Sequence, residues 1–506
     1  MNSIRPAVVA IAGSEATGVA GIAVDLRVLA AVGAHGAPVI TANTAQQAEG
    51  GALNPVSPEV LDSQLAAAAQ LAPAVVKTGL LADAAQIARV AEFCTRTGAR
   101  LVCDPVLRSS ADMALTAADA PAALRATLLP KVALLTPNLA EAEALTGISI
   151  RGAADVERAA AALRAQGAAA VLIKGGHGGG DSSSDRSSSD RVSSDRFSSD
   201  HFSSDYFTSA EQCFWLHSPR LPVANRRGTG CALASAAAGA LALGYGLADA
   251  VVIAKAAINR GLRQGYACGG REGPVQIDRF PDAAEDLPVL TSEADYRAPP
   301  PFPDCNSPHL GLYPVVDRAV WLARLLPQGV TTIQLRVKDL QGTALRAEIR
   351  AAIALAREHG ARLFVNDHWR TALEEGAYGV HLGQEDLRDA DIEALRAAGL
   401  RLGISTHCHH EAARAHALRP SYVACGPIYE TTAKAMPWVP HDLDGLRYWR
   451  RLFAGYPLVA IGGINAARAP GVAATGVDGV AMISGITQHA DPEGTARSLV
   501  ALLDGH

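Results

Sequence analysis

The chain has 506 residues, of which 49% are hydrophobic, and its formal net charge is -5. At roughly 150 residues per domain, this length predicts more than one domain. The hydrophobic content excludes global disorder, and the mild acidity argues against a protein that coats nucleic acid. We therefore expect no nucleic-acid partner.

The eight cysteines are widely spread, and no two of them form a Cys-x-x-Cys pair. In a chain of this length, such spacing favours reduced thiols over a disulfide framework. No segment reaches about 18 uninterrupted apolar residues, as a transmembrane helix requires, and no signal-peptide pattern is present. We expect a cytoplasmic protein without a membrane partner, and a homo-oligomer stays open.

The first half alternates between short β-branched runs and Ala/Leu-rich stretches of helical period, such as residues 153–166. The runs are nearly all apolar, as is typical of strands buried on both faces. This α/β alternation predicts a parallel sheet covered by helices. The strand-like runs are residues 8–11, 38–41, 74–78, 101–104, 133–136 and 170–174.

Residues 178–204 interrupt the pattern with near-repeats of Ser-Ser-Asp-Arg. The segment has almost no aliphatic residues, so it cannot offset the entropy of ordering its backbone. We predict a disordered insertion in a surface loop. An expansion without function and a phosphorylated regulatory segment are both open, since serines are abundant.

A proline-rich stretch at residues 286–308 is typical of a semi-rigid spacer, so we predict a linker between domains at 1–285 and 309–506. The second domain contains eight strand-like runs, which fits the eight β/α units of a compact TIM barrel. These runs are residues 310–316, 331–336, 362–366, 379–382, 401–405, 422–425, 458–461 and 479–482.

Two clusters in the first half suit a ligand but also have ordinary structural explanations. The small residues at 13–21 let a ligand approach the backbone, although many strand–helix turns are equally glycine-rich. Asn138 and Glu141 share one helix face, and their oxygens can hold hydrated Mg²⁺. An ordinary helix N-terminus with acidic capping gives the same pair.

Two further clusters suit a phosphate. Lys174 ends a strand-like run and precedes two glycines, which fits a polyphosphate. Residues 227–231 precede an Ala-rich helix, whose first backbone N–H groups form an anion hole that can stabilise a transferring phosphoryl group. The same position would lower the pKa of Cys231, although a cysteine there can also be a small buried hydrophobe.

The order of these clusters resembles the ribokinase-like fold, and specifically the hydroxymethylpyrimidine (phosphate) kinases of thiamine biosynthesis, over about residues 6–280. This resemblance implies a three-layer α/β/α domain. The matching motifs are Gly13-Ser14, Thr44-Ala45-Gln46, Lys77-Thr78-Gly79-Leu80, Asp104-Pro105-Val106, Thr136-Pro137-Asn138, Lys174-Gly175-Gly176-His177 and Gly228-Thr229-Gly230-Cys231.

The resemblance implies a role for each of these positions. Gln46 would hydrogen-bond the aminopyrimidine edge, with Gly13 and Leu80 shaping the pocket, and Cys231 would take the place of the catalytic base. Such kinases use ATP to phosphorylate the alcohol and then its monophosphate. The residues implied to bind ATP, its Mg²⁺ or the developing charge are Lys174, Asn138, Glu141, Gly228, Thr229 and Gly230.

The sequence departs from that family at two places. Glu15 and Ala16 replace the usual Asp-Pro of the first loop, and Arg226 lies in the family's usual Asn-Thr-His. We predict that these changes, with the insertion after His177, slow the kinase or change its nucleotide handling.

Polar residues in the second half follow the strand-like runs, where TIM barrels carry their chemistry. Alternation puts Gln334, Arg336 and Lys338 on one side of a strand end, although a solvated charged end has the same pattern. Asp367 and Asp386 follow two successive runs and could share Mg²⁺. Late glycine-rich loops on this fold commonly bind phosphate, so we expect two phosphorylated substrates.

This set resembles thiamine-phosphate synthase over about residues 310–500. The resemblance implies coupling of hydroxymethylpyrimidine diphosphate with a thiazole phosphate and loss of pyrophosphate, with Mg²⁺ on Asp367 and Asp386. The pyrimidine diphosphate would contact Gln334, Arg336, Lys338, Asn366, Ser405 and the catalytic Lys434, and the thiazole phosphate would contact Thr431, Gly463, Ile483 and Ser484. The family's Thr-x-Thr-Lys has Ala433 at its third position here, which predicts weaker thiazole-phosphate binding.

The product of the first reaction is the substrate of the second, which favours a bifunctional enzyme of thiamine biosynthesis. Two alternatives stay open. The first half could bind a pyrimidine without phosphorylating it, although Lys174 and Cys231 would then be unnecessary. It could instead be a sugar or pyridoxal kinase joined to an unrelated barrel, which Cys231 in place of an Asp disfavours.

Overall fold

The computed structural model describes residues 4–46, 51–108, 115–175, 201–430 and 440–504, with the backbone alone for Gln46. The chain divides into two compact units, Met1–Pro281 with Glu285–Arg297, and Asp282–Ala284 with Ala298–His506. All eight cysteines are free. Among the described residues, no helix is long and apolar enough to cross a membrane.

The first unit is built on a ten-stranded sheet with the order β10-β9-β8-β7-β6-β5-β4-β1-β2-β3. The strands are β1 (Ala7–Glu15), β2 (His35–Gln46), β3 (Gly51–Pro55), β4 (Val75–Thr78), β5 (Arg100–Cys103), β6 (Val132–Leu135), β7 (Val171–Ile173), β8 (Phe202–Thr208), β9 (Cys213–Pro219) and β10 (Val289–Thr291). The six consecutive strands from β7 to β2 run parallel to one another, which confirms the predicted sheet.

Helices cover both faces of this sheet and make the α/β/α layers. They are α1 (Ile22–Val32), α2 (Pro58–Ala69), α3 (Ala84–Thr97), α4 (Ala120–Ala123), α5 (Leu139–Thr146), α6 (Ala153–Ala165), α7 (Thr229–Ala242) and α8 (Leu247–Arg263). Helices α2, α3, α5 and α6 bury their apolar side chains on one face, and α1, α7 and α8 pack together on the other.

The antiparallel edges of the sheet differ from the sequence prediction. β8 begins at Phe202 and pairs with β7 and β9, so Phe202–Ser204 form a strand and not the end of a disordered insertion. Residues 178–200 of that predicted insertion lie outside the described residues. β10 pairs with β9, so part of the predicted linker at 286–308 belongs to the first sheet.

The second unit is a closed eight-stranded barrel with its strands in sequence order, which confirms the predicted TIM barrel. The strands are β11 (Gly311–Val316), β12 (Thr332–Leu335), β13 (Arg362–Asn366), β14 (Gly379–Leu382), β15 (Arg401–Thr406), β16 (Tyr422–Cys425), β17 (Leu458–Ala460) and β18 (Gly479–Met482). The helices are α9 (Ala319–Leu325), α10 (Gly342–Glu358), α11 (Trp369–Glu374), α12 (Ile392–Ala397), α13 (His409–Leu418), α14 (Asp442–Leu452), α15 (Ala469–Ala473), α16 (Ser484–Thr487) and α17 (Pro492–Asp504).

Candidate active sites

The predicted anion hole lies at the N-terminus of α7, against the first glycine-rich loop. Gly228 caps the helix with a φ of 77°, and a Cβ on it would lie 2.5 Å from the carbonyl oxygen of Val19. Only glycine fits this close approach and positive φ. The fold thus brings together residues 13–21 and 228–231, which are two of the clusters that the sequence singled out.

Lys174 lies beside this helix terminus. Its Nζ donates to Asp104 Oδ1 at 2.7 Å, and a Cβ on Gly230 would lie 3.4 Å from the same nitrogen. Burial opposes the charge on Lys174, but Asp104 and Glu141 outweigh it and raise the pKa of the ammonium. The predicted phosphate-binding lysine therefore stays charged next to the helix N-terminus, where an anion is stabilised.

Cys231 is partly exposed in the first turn of α7, and the backbone N–H of Gly21 lies near its thiol. Burial raises the pKa of Cys231 to about 11, because Asp25 and Asp104 offset the favourable charge of Lys77. The expectation of a lowered pKa is therefore wrong. It considered the helix terminus alone and omitted the burial of the thiol and the two nearby carboxylates.

A buried ion pair that the sequence prediction missed lies close to Cys231. Lys77 Nζ lies 2.8 Å from both carboxylate oxygens of Asp25, and Ser235 Oγ donates to Asp25 Oδ1 at 2.8 Å. Burial opposes the charge on Lys77, but Asp25 and Cys231 raise its pKa. A lysine inside an otherwise apolar strand was the available signal, since a buried charge requires a partner.

Asn138 and Glu141 form a capping box at the start of α5. The backbone N–H of Asn138 donates to Glu141 Oε2, and that of Glu141 donates to Asn138 Oδ1, each at 2.8 Å. This is the ordinary alternative that the sequence left open. Burial raises the pKa of Glu141 to about 7, with Lys174 opposing this shift and Asp104 adding to it. The carboxylate therefore lies close to Lys174 and to the predicted phosphate site.

The predicted pyrimidine pocket has an apolar wall. A Cβ on Gly13 would lie 2.9 Å from Leu80 Cδ2, and Leu80 packs with Ala42 and Leu115. Gly13 and Leu80 are therefore adjacent. The side chain of Gln46, together with Gly176 and His177, lies outside the described residues.

Glu15, which departs from the family pattern, turns back into its own loop. Its Oε2 accepts hydrogen bonds from Thr17 N at 3.1 Å, Thr17 Oγ1 at 2.6 Å and Val19 N at 3.3 Å. The substituted loop is therefore closed by its own carboxylate.

In the barrel, the three polar residues predicted to share one side lie at the end of β12. Gln334 is buried, Arg336 is partly exposed and Lys338 is exposed. Lys338 Nζ forms an ion pair with Asp367 Oδ2. Asn366 is buried at the end of β13. Along this strand end, the exposure of the polar side chains increases from Gln334 to Lys338.

Asp367 and Asp386 lie close enough that each shifts the pKa of the other. Burial opposes ionisation of Asp367, but Lys338 outweighs it and lowers its pKa. Burial and Asp367 raise the pKa of Asp386. Two adjacent carboxylates that repel each other and offer only oxygen donors fit Mg²⁺.

Ser405 lies in β15 at the mouth and is partly exposed. Its Oγ lies 2.8 Å from His381 Nε2, and His381 Nδ1 lies 2.7 Å from the hydroxyl of Tyr422. Burial lowers the pKa of His381 to about 4, so the ring is neutral. The sequence motif contained His381, but no role was predicted for it.

A cavity of about 620 Å³ lies beside the late glycine-rich loops. Its lining includes Gly463, Ile483 and Ser484, which the sequence predicted as a phosphate site, and also Gln488 and His489, which it did not. The late loops therefore form one site. The predicted Thr431, Ala433 and Lys434 lie outside the described residues.

Known proteins resemble the two halves separately. Residues 15–276 match the family model described as phosphomethylpyrimidine kinase, and residues 312–486 match the one described as thiamine monophosphate synthase. The chain is 54% identical over 196 residues to the thiamine-phosphate synthase of Photorhabdus laumondii, covering 39% of this chain and 91% of that protein. It is 56% identical over 182 residues to the thiamine-phosphate synthase of Shigella boydii serotype 4, covering 36% of this chain and 86% of that protein.

Among solved structures, the pyridoxal kinase of Staphylococcus aureus in complex with AMP-PCP superposes with a TM-score of 0.50 at 26% identity. The superposition covers 57% of this chain and 99% of the pyridoxal kinase chain. The barrel is therefore related to thiamine-phosphate synthases, which contradicts the alternative of an unrelated barrel. The first half has the fold of a vitamin kinase. The chain belongs to the phosphomethylpyrimidine kinase family through its first half and to the thiamine-phosphate synthase family through its second, and it is a bifunctional enzyme of thiamine biosynthesis.

Proposed function

We propose that the two sites act in succession on one pyrimidine, through the residues described above. The first site phosphorylates 4-amino-5-hydroxymethyl-2-methylpyrimidine and then its monophosphate, with ATP as the donor. The second couples the diphosphate with hydroxyethylthiazole phosphate. The observation that carries this assignment is the position of the charged Lys174 ammonium beside Gly230 at the start of α7.

In the kinase, Lys174 and the amides of Gly228, Thr229 and Gly230 hold the charge of the transferring phosphoryl group. Cys231 accepts the proton of the substrate hydroxyl when it is a thiolate, a form that Lys77 favours and that burial and Asp25 disfavour. Gln46, Gly13 and Leu80 hold the pyrimidine. Phosphoryl transfer depends mainly on such positioning and electrostatics.

Metal support in the kinase falls to Glu141 and Asn138. Both side chains already cap α5 through the hydrogen bonds between them, so we propose that they hold Mg²⁺ through water. Hydrated Mg²⁺ is the form in which this ion usually binds beside phosphates.

In the synthase, the diphosphate is held by Gln334, Arg336, Lys338, Asn366, Ser405 and Lys434. Asp367 and Asp386 would hold Mg²⁺, which supplies positive charge to the leaving pyrophosphate. The bond between the pyrimidine methylene carbon and the diphosphate oxygen breaks with its electron pair on pyrophosphate. The thiazole nitrogen then supplies the electron pair for the new bond to the methylene carbon. The thiazole phosphate is held in place by Gly463, Ile483, Ser484 and Thr431.

A crossed pair of variants in the full-length chain tests this division of labour. Lys174→Ala should abolish thiamine phosphate formation from the alcohol, ATP and thiazole phosphate, yet retain it when the pyrimidine diphosphate is supplied. Asp386→Asn should abolish both. Thiamine phosphate from the alcohol in Lys174→Ala at the wild-type rate would contradict the proposal.

The same assay distinguishes a second substrate for the first site. The likeness to a pyridoxal kinase makes pyridoxal the natural competitor. We expect pyridoxal to inhibit phosphorylation of the pyrimidine only weakly, and equal competition would favour a dual vitamin kinase. We also propose a cytoplasmic location, since eight free thiols are typical of a reducing compartment.

A further inference from the structure

A chain of hydrogen bonds runs through the interior of the barrel beneath the synthase site. The hydroxyl of Tyr313 in β11 lies 2.7 Å from that of Tyr422 in β16. Tyr422 in turn lies 2.7 Å from His381 Nδ1 in β14, and His381 Nε2 lies 2.8 Å from Ser405 Oγ in β15. The interior of a TIM barrel is usually filled by branched apolar side chains, so this polar chain is unusual.

The chain joins two residues assigned to the pyrimidine diphosphate. Ser405 is at one end, and Gln334, buried in the neighbouring strand β12, lies beside the two tyrosine hydroxyls at the other. The backbone leaves room for it, because a Cβ on Gly403 would lie 2.1 Å from the Tyr422 ring. The three central side chains are buried, so their polar atoms depend on one another for partners.

Charge at the mouth fixes the direction of these hydrogen bonds. A diphosphate oxygen only accepts, so the Ser405 hydroxyl can reach it only as a donor. Its oxygen then receives the Nε2–H of His381. A neutral imidazole has one N–H, so His381 Nδ1 accepts from Tyr422, and the Tyr422 oxygen is free to accept from Tyr313.

We propose that His381 is a positioning residue of the synthase, which holds the Ser405 hydroxyl as a donor to the diphosphate of the pyrimidine substrate. Tyr422 sets the tautomer of His381 that this requires. The proposal rests on the proposed contact of Ser405 with that diphosphate. It gives the barrel's polar core a role in recognising one substrate and not the other.

Two substitutions of His381 distinguish positioning from packing. The amide nitrogen of a glutamine can take the place of Nε2, so His381→Gln keeps a donor for Ser405. An asparagine reaches only the place of Nδ1, so His381→Asn keeps the contact with Tyr422 and loses the donor. The loss of one hydrogen bond to a charged ligand predicts a rise of about tenfold in KM for the pyrimidine diphosphate. We expect this rise in His381→Asn and near wild-type values in His381→Gln.

The measurement is steady-state synthase kinetics of the full-length chain with supplied pyrimidine diphosphate. KM for the thiazole phosphate should be unchanged in both variants, which reports that the barrel is intact. His381→Asn added to Ser405→Ala should cause no further rise, since both remove the same contact. Equal effects of the two His381 variants, or an additive double variant, would overturn the proposal.

Failure of the proposed function gives a different result. If Ser405→Ala alone leaves KM for the diphosphate unchanged, Ser405 does not contact that substrate. If His381→Asn does not fold, Tyr422→Phe supplies the test, because it removes only the hydroxyl that sets the tautomer. It should raise the same KM several-fold, and an unchanged KM in Tyr422→Phe would refute the role of the chain.

Discussion

A buried ion pair between Asp205 in β8 and Lys255 in α8 provides a quantitative test of how the kinase unit is held together. Lys255 Nζ lies 2.7 Å from Asp205 Oδ2, and both side chains are at most 5% exposed. The other oxygen of Asp205 accepts the backbone N–H of Gly175 at 2.9 Å. The pair therefore anchors the residue that follows Lys174.

Replacing Asp205 with alanine leaves the Lys255 ammonium buried without its counter-ion. Breaking a buried pair by removing one partner costs about 3–5 kcal/mol. At about 2 kcal/mol per molar urea, this loss moves the unfolding midpoint of the kinase unit down by about 2 M. Removal of both charges in Asp205→Asn with Lys255→Met keeps an acceptor for Gly175 and should recover most of the loss.

The assay follows kinase and synthase activity separately after incubation of the full-length chain in increasing urea. Only the kinase midpoint should fall in Asp205→Ala, because the pair lies wholly in the first unit. Asp62→Ala is the matched control, since its ion pair with Arg89 is exposed and such pairs contribute about 1 kcal/mol or less. A shift in Asp205→Ala no larger than in Asp62→Ala would refute the reasoning.

Three further predictions concern the active sites. Since burial raises the pKa of Cys231 to about 11, the thiolate fraction and the kinase kcat should rise from pH 7 to pH 10, and Cys231→Ala should remove that slope in a pH profile. Gly463 has a φ of 66°, and a Cβ there would lie 2.4 Å from the carbonyl oxygen of Glu430; Gly463→Ala should therefore raise KM for the thiazole phosphate by about tenfold without changing KM for the diphosphate. Ala433→Thr should lower KM for the thiazole phosphate by about tenfold, the worth of one hydroxyl hydrogen-bonded to a charged group, and an unchanged KM would show that the missing hydroxyl does not matter.

The sequence predicted the barrel strands to within a residue or two, because each is a short apolar run that ends in polar residues. Since the ends of parallel strands meet at one mouth, it also predicted that Asp367 and Asp386 lie together. It could not predict β8, whose first residues continue a Ser/Asp-rich repeat. Only the partner strands show that Phe202–Ser204 are ordered.

Side-chain pairs that cross the fold were beyond the sequence for a different reason. Lys77 and Asp25 are 52 positions apart, and His381 meets Tyr422 across 41 positions. Local periodicity gives the face of a strand but not the partner that a polar side chain finds there. The pKa of Cys231 was misjudged for the same reason, because its shift depends on burial by the surrounding fold and on charged groups from other elements.

The pairing of Lys174 and of Lys77, the two buried lysines near the start of α7, with aspartates has a consequence for the form of ATP that binds. Lys174 is paired with Asp104 and Lys77 with Asp25, so these two ammonium groups contribute no net positive charge to the kinase site. A free polyphosphate would therefore meet balanced charges, and most of the remaining attraction comes from the helix N-terminus. A complex of ATP with Mg²⁺ carries less negative charge and avoids repulsion by Asp104 and Glu141.

We therefore expect ATP to bind the full-length chain much more weakly when Mg²⁺ is removed. Titration calorimetry with and without a chelator measures the difference. Asp104→Asn removes one of the repelling carboxylates. It should reduce the difference in ATP affinity with and without Mg²⁺, because Lys174 without Asp104 as its partner then attracts free ATP directly. Equal ATP affinity with and without Mg²⁺ in the unaltered chain would contradict the charge balance that these ion pairs imply.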